Sequence, residues 1–156
     1  MGQYSGPERI KAGVGGSFRN VINVTSGTRT MTVDESGSLV LLNLATGIDI
    51  TLPAITSSDE VGTWYEFVSI LAASSETYTV TAQSGDLLIG RALVQDTDTA
   101  NTIVSHAADV SDDLIFTLSD TADLPGSGAR FTAITTTRWL VEGLIYHTGN
   151  SATPFS

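Results

Sequence analysis

The residues that could carry chemistry in this chain are, first, its two histidines. His106 lies in a polar, loop-like segment, and His147 closes the last apolar stretch. A histidine can serve as the general base for a serine nucleophile. The chain, however, contains no Gly-x-Ser-x-Gly sequence, the motif that positions such a serine on a sharp turn. We therefore interpret both histidines as ordinary surface or interface residues.

Paired carboxylates are the second candidate for chemistry. They occur at Asp34-Glu35, Asp59-Glu60 and Asp112-Asp113. Glycoside hydrolysis needs two carboxyl groups that face each other across a cleft roughly 5 to 10 Å wide. Adjacent carboxylates on a strand point to opposite faces, and those in turns are normally solvated. We predict no catalytic residue and no enzymatic activity.

A third candidate is the segment DTDTAN at 96–101, which offers Asp96, Asp98 and Asn101 as hard oxygen ligands. It lacks the central glycine and the distal glutamate of an EF-hand loop. A polar turn is the favoured interpretation, and calcium in a β-loop stays open as the alternative. We predict no metal site and no cofactor.

Composition narrows the class of partner. The 156 residues suit one domain, and seven basic against seventeen acidic residues give a net charge of −10. This balance argues against a nucleic-acid partner and against an anionic membrane surface. The absence of cysteine excludes disulfides and thiol chemistry.

Targeting signals are not evident either. The first residues lack the apolar run of a signal peptide, and the longest aliphatic runs are far shorter than the roughly 18 residues of a membrane span. We expect a soluble protein made without a cleaved leader.

The elements that must position any site are predicted to be β-strands. Thr, Ser and Gly dilute the aliphatic residues, and short alternating runs follow one another from Asn20 onward. In ATGIDITLPAI at 45–55, for example, alternate residues are apolar, and the strand should end at Pro53 or lie on a sheet edge. Nine or ten such runs predict an all-β domain over 20–156, a compact antiparallel β-sandwich or barrel with a short C-terminal tail.

Three local features refine this prediction. Gly90, inside DLLIGRALV, indicates a bulge or a close backbone approach. The only helical turn is expected around 105–113. TMTVDESGSLVLL at 30–42 resembles TVTAQSGDLLIG at 79–90, which we interpret as shared turn chemistry rather than a solenoid repeat.

Residues 1–19 are predicted to form a flexible, extended arm, because they contain five glycines and a proline without an apolar period. Residues 1–30 carry four basic residues and one acidic residue, whereas the rest of the chain carries three and sixteen. Such an arm should order against an acidic neighbour, either a partner surface or an adjacent acidic subunit. Its predicted contact residues are Tyr4, Arg9, Ile10, Lys11, Phe18 and Arg19.

The order of several motifs from about residue 28 to the end carries a family resemblance. SGSLVLLNLATGIDITLPA is followed by GTWYEFVSI, by TYTVTAQSGDLLIG and by RWLVEGLIYHTGNSATPFS. This order resembles the small decoration (cement) proteins of tailed-phage capsids; the most specific parts are the Leu-Pro-Ala strand end, the closing W-x-V-x-G strand and the ATPF tail. The resemblance implies a trimeric β-structure on the virion, assembled in the host cytoplasm, that locks neighbouring major capsid protein subunits together. It supplies no catalytic or binding residues.

A homotrimer is also expected from the residues themselves, because SLVLLNL and RWLVEGLIY are apolar on both faces. Two alternatives remain. Similar strings occur in phage tail-fibre and head-fibre modules, so a fibre or spike module could bind a host receptor or glycan through Trp64, Tyr65 and Trp139. The alternating context of these aromatics favours burial instead. A lytic enzyme is the third hypothesis.

Overall fold

The chain folds into β-strands with almost no helix, which confirms the all-β prediction. The computed structural model describes residues 19–74, 77–96, 102–108, 115–119, 125–147 and 153–156, and its strands and two 3₁₀ turns lie within these ranges. The strands are β1 (Val21–Val24), β2 (Thr28–Thr30), β3 (Ser38–Leu42), β4 (Ile48–Thr51), β5 (Trp64–Ser69), β6 (Tyr78–Thr81), β7 (Leu87–Asp96), β8 (Ile103–Ala107), β9 (Ile115–Ser119), β10 (Gly128–Thr135) and β11 (Arg138–His147).

The helical elements differ from the sequence prediction. The described 3₁₀ turns are Val33–Glu35 and Ser58–Glu60. The helical turn expected around 105–113 is wrong for residues 105–107, which belong to β8, and residues 109–113 lie outside the described ranges. In the described part of the chain, no helix has the length and apolar character needed to cross a membrane.

The strands form two mixed sheets, and this corrects the antiparallel prediction. Sheet A has the order β1-β3-β5-β10-β11-β7-β8, and sheet B has the order β2-β4-β6-β9. Five of the nine strand pairings among the described residues are parallel. The alternation of side chains along a strand does not determine the direction of its neighbour, so the parallel pairs were not predictable from this pattern.

Four of the five parallel pairs arise because β1 to β6 alternate between the two sheets, and the fifth joins β7 to β11. The odd-numbered strands β1, β3 and β5 are parallel neighbours in sheet A, and the even-numbered strands β2, β4 and β6 are parallel neighbours in sheet B. Parallel neighbours need a crossover connection, and here a strand of the other sheet supplies it. These six strands therefore make three rungs of a coil, which differs from the interpretation of the resemblance between 30–42 and 79–90 as shared turn chemistry alone. The β10–β11 hairpin then lies between β5 and β7.

A repeated turn sequence marks the return from sheet B to sheet A in the first two rungs. TVDESGS at 32–38 and SSDEVGT at 57–63 share the pattern [ST]-x-Asp-Glu-x-Gly-[ST]. In each, the glutamate carboxylate accepts the backbone N–H three residues earlier, at 2.9 Å in the first turn and 3.3 Å in the second. Each glycine has a positive φ, +84° at Gly37 and +96° at Gly62, a conformation that other residues adopt only with strain.

In the second turn, hydrogen bonds from the backbone N–H and the hydroxyl of Thr56 lower the pKa of the Glu60 carboxyl group.

One buried cluster receives side chains from both sheets. Its centre is a series of aromatic rings whose successive centroids lie 5.1 to 6.2 Å apart, in the order Trp139, Tyr65, Phe67, Phe131, Phe116 and Phe155. The complete burial of Tyr65 and Trp139 confirms the expectation for these two side chains. The hydroxyl of Tyr65 donates to the carbonyl oxygen of Thr32 at 2.6 Å, and burial raises the pKa of Tyr65. Burial raises the pKa of Tyr78 in the same way.

The closing W-x-V-x-G strand and the ATPF tail meet in this cluster. Trp139, Val141 and Gly143 occupy alternate, inward-facing positions of β11, and a Cβ at Gly143 would lie 2.8 Å from Cζ of Phe116. Phe155 packs edge-on against Phe116 with the centroids 5.1 Å apart. Backbone hydrogen bonds join the tail to β9, including one from the N–H of Ile115 to the carbonyl of the last residue at 2.7 Å. The described end of the tail is thus part of the domain's core.

The structure confirms the predictions made from Pro53 and Gly90. Strand β4 ends at Thr51, two residues before Pro53, and its apolar positions are buried. Gly90 has a φ of +132°, and a Cβ there would lie 2.0 Å from the carbonyl oxygen of Val141 on the paired strand β11. The glycine therefore permits the close backbone approach that its position indicated.

Candidate interaction surface

The outer face of sheet A is the most distinctive surface of the described structure. On β5, Tyr65 and Phe67 point into the core, whereas Trp64, Glu66 and Val68 point outward. The same alternation holds on β7, β10 and β11, so the strand register determines which outward side chains are neighbours.

Four charged residues lie side by side across this face. Glu66 on β5 is paired with Arg130 on β10, Arg130 with Glu142 on β11, and Glu142 with Arg91 on β7. We call this row the charge ladder. Its signs alternate from acid to base along four adjacent strands, which spans about 14 Å at the usual strand spacing.

The charge ladder concentrates the basic residues of an acidic domain. Two of the three arginines after residue 30, Arg91 and Arg130, belong to it. The guanidinium of Arg130 also lies over the ring of Trp64, 4.3 Å from its centroid. Among the described residues, the ion pairs are Arg19 with Glu66 and Arg29 with Glu35, so no described ion pair neutralises the central Glu142.

An apolar row runs beside the charge ladder, one outward position further along the strands. It consists of Val68, Gly128, Leu144 and Leu93, which are neighbours in register. Leu93 and Leu144 are each 40% exposed, so the row presents two apolar side chains to water on adjacent strands. Because Gly128 has no side chain, an open depression of about 600 Å³ lies between the two rows, lined by residues of both.

The predicted contact residues of the N-terminal segment fall into two groups. Arg19 is described: its guanidinium pairs with Glu66 and lies 5.1 Å from the centroid of Trp64, at the β5 end of the charge ladder. The other predicted residues, Tyr4, Arg9, Ile10, Lys11 and Phe18, lie outside the described residues. The structure therefore locates where the basic segment joins the domain, and the contacts of residues 1–18 stay a prediction.

Sequence reasoning missed the charge ladder. Its members are far apart in the chain, and single-residue alternation places each of them outward without saying which strands are neighbours. The signal that could have pointed to it is compositional: few arginines occur after residue 30, and two of them lie at outward positions of long strands.

The residues considered for catalysis or metal binding occupy separate places. His106 lies half-buried on β8, and His147 is buried at the end of β11. Glu35 and Glu60 serve the two repeated turns, and Asp98, Asn101 and the Asp112-Asp113 pair lie outside the described ranges. In the part of the chain that the structure describes, no cluster of three or more His, Asp or Glu side chains could hold a metal ion.

Comparison with known proteins adds no constraint on this surface, since no family model matches the chain and no curated protein matches it significantly. The features that bear on function are therefore the surface itself and the structural positions of the sequence motifs.

Proposed function

We propose that this protein is a non-enzymatic virion structural protein that binds the outer surface of a phage capsid and stabilises the lattice as a decoration (cement) protein. The observation that carries the proposal is the anchorage of Arg19. Its ion pair with Glu66 and its cation–π contact with Trp64 hold the residue that directly follows the basic segment 1–18 against an acidic domain.

This geometry suits attachment by an arm. Residues 1–18 contain two basic residues and only one acidic residue, whereas the domain that follows is strongly acidic. A tether at Arg19 lets such a segment reach an acidic neighbour while the domain stays at its own position. Ordering the segment on the major capsid protein would cost conformational entropy and add apolar contact from Tyr4, Ile10 and Phe18.

The motifs of the family resemblance support the proposal because they have consistent structural roles. The Leu-Pro-Ala sequence ends β4, the W-x-V-x-G sequence lines the core on β11, and Phe155 of the ATPF tail packs against Phe116. We infer that the two sheets, which share one buried cluster, pack as a β-sandwich. In a homotrimer, three copies of such a domain would multiply modest capsid contacts through a high effective concentration.

A fibre or spike module that binds a receptor or glycan is the second candidate. Half-exposed Trp64 is the observation that favours it, because glycan sites often use aromatic platforms. The guanidinium groups of Arg19 and Arg130 already lie against this ring, which argues for a structural role. The capsid proposal therefore ranks first.

The test uses capsids stripped of the protein and then incubated with purified variants. Deleting residues 2–16 should leave a folded protein whose occupancy on the particle is much reduced. Reversing the two charges with Arg9→Glu and Lys11→Glu should reduce occupancy less, and mainly at low salt, because exposed charges are screened. Arg138→Glu, a reversal on the exposed start of β11, is the matched control and should bind like wild type.

Heating the same particles supplies the second readout. Decorated capsids should rupture at a higher temperature than stripped ones, since a ligand of the assembled state stabilises it by mass action. Equal rupture temperatures would contradict the cement role. Unchanged occupancy after the deletion would move the attachment site away from the N-terminal segment.

A further inference from the structure

We propose that the outer face of sheet A is a self-association surface that binds the same face of a second copy of this chain through a two-fold axis. The proposed axis runs parallel to the strands, between β10 and β11. This inference concerns contacts between copies and stands independently of capsid binding.

The first argument is charge complementarity. A two-fold axis between β10 and β11 places β10 of one copy opposite β11 of the other, and β5 opposite β7. The charge ladder then faces itself in reverse order. Arg130 meets the second copy's Glu142, and Glu66 meets the second copy's Arg91, so every acid faces a base in all four places.

The second argument is shape and polarity along the apolar row. The same rotation preserves the direction along the strands, so the apolar row also faces itself. Leu144 of each copy then lies opposite Gly128 of the other, where the missing side chain leaves the depression, and Val68 lies opposite Leu93. Covering Leu93 and Leu144 would remove two leucines, each 40% exposed, from water.

A translated or three-fold arrangement does not produce this match. A three-fold contact joins two different surfaces, so the charge ladder of one subunit would not meet the ladder of its neighbour. The proposed contact is therefore separate from any trimer contact, and it would join trimers in pairs if trimers form.

The symmetry permits a sharp test with two single charge reversals in the full chain. Arg130→Glu places glutamate opposite Glu142 of the second copy, and Glu142→Arg places arginine opposite Arg130. Each variant alone should weaken the contact by roughly tenfold or more in dissociation constant, because each repulsion occurs twice in the symmetric contact. In analytical ultracentrifugation, both variants should sediment at half the mass of the wild-type assembly.

Mixing the two variants is the decisive step. In a mixed pair, glutamate at 130 of one copy meets arginine at 142 of the other, and Glu142 meets Arg130, so the full-size assembly should return. The variant that carries both reversals should also assemble with itself. Asp49→Arg is a matched charge reversal at an exposed position of β4 in sheet B, away from the proposed contact, and it should leave the mass unchanged.

A further variant probes the apolar row. Leu144→Asp should abolish the contact, and Leu144→Met should retain it, while circular dichroism checks that each variant is folded. The proposal is overturned if wild-type protein stays at half the expected mass up to submillimolar concentration, as it would if residues 1–18 of the same chain covered the face. It is also overturned if the mixture of Arg130→Glu and Glu142→Arg stays dissociated. Neither result bears on particle binding, which is measured separately on capsids.

Discussion

At the scale of single residues, buried polar groups are the exceptions that the fold must accommodate. Asp86 lies at the start of β7, is 7% exposed, and its Oδ2 atom is buried without a hydrogen-bond partner among the described residues. Burial raises the pKa of Asp86, and the neighbouring indole N–H of Trp139 offsets this only in part. The charged form of Asp86 is therefore disfavoured in the folded protein.

This environment predicts a pH-dependent effect of Asp86→Asn. The pKa of Asp86 is higher in the folded state than in the unfolded state. Its protonated form therefore contributes its full stabilisation below the unfolded-state pKa, near 3.8, and this stabilisation is lost as pH rises through the folded-state pKa. At neutral pH the variant should be more stable than wild type, and the difference should shrink as pH falls toward 4. Urea denaturation at both pH values measures this difference. Asp59→Asn, at an exposed aspartate, is the control, and an equal gap at both pH values would contradict the explanation.

At the scale of elements, the alternation of apolar residues predicted strand faces well. The alternation at 45–55 is seen in β4, where Ile48 and Ile50 are buried and Asp49 is exposed, and Gly90 marked a real close approach of two backbones. These predictions succeed because side-chain direction and glycine geometry are local properties.

Local sequence patterns did not predict which strands pair with one another. Whether β3 runs parallel or antiparallel to β5 depends on the route of the chain through sheet B, which no local pattern encodes. The insertion of β10 and β11 between β5 and β7, and with it the charge ladder, is a non-local outcome of the same kind. Of the predicted contact residues, Arg19 alone lies in the described chain, so the rest of that site stays a prediction.

The C-terminal tail provides the element-scale prediction. Phe155 is 4% exposed and packs against Phe116, although it lies only one residue from the end of the chain. Phe155→Ala should lower the free energy of unfolding by about 3 to 5 kcal/mol, the usual cost of removing a buried phenylalanine. Chemical denaturation measures it, with Thr153→Ala at an exposed position as the control. A loss below about 1 kcal/mol would mean that the tail does not contribute to the core.

At the scale of the whole molecule, the three-rung coil, the inserted hairpin and the docked tail leave two features available to partners. One is the outer face of sheet A, with its charge ladder and apolar row. The other is Arg19 beside that face, the described residue that directly follows the basic segment 1–18. We propose that the face mediates contacts between copies and that the segment mediates attachment to the capsid.

Electron microscopy of the virion tests the central claim most directly. Reconstructions of particles assembled with and without this protein should differ by density on the outer surface of the head, with one connection from each copy to the major capsid protein near the Arg19 end of the domain. Identical head surfaces in the two reconstructions, or density that differs only at tail or head fibres, would contradict the decoration role.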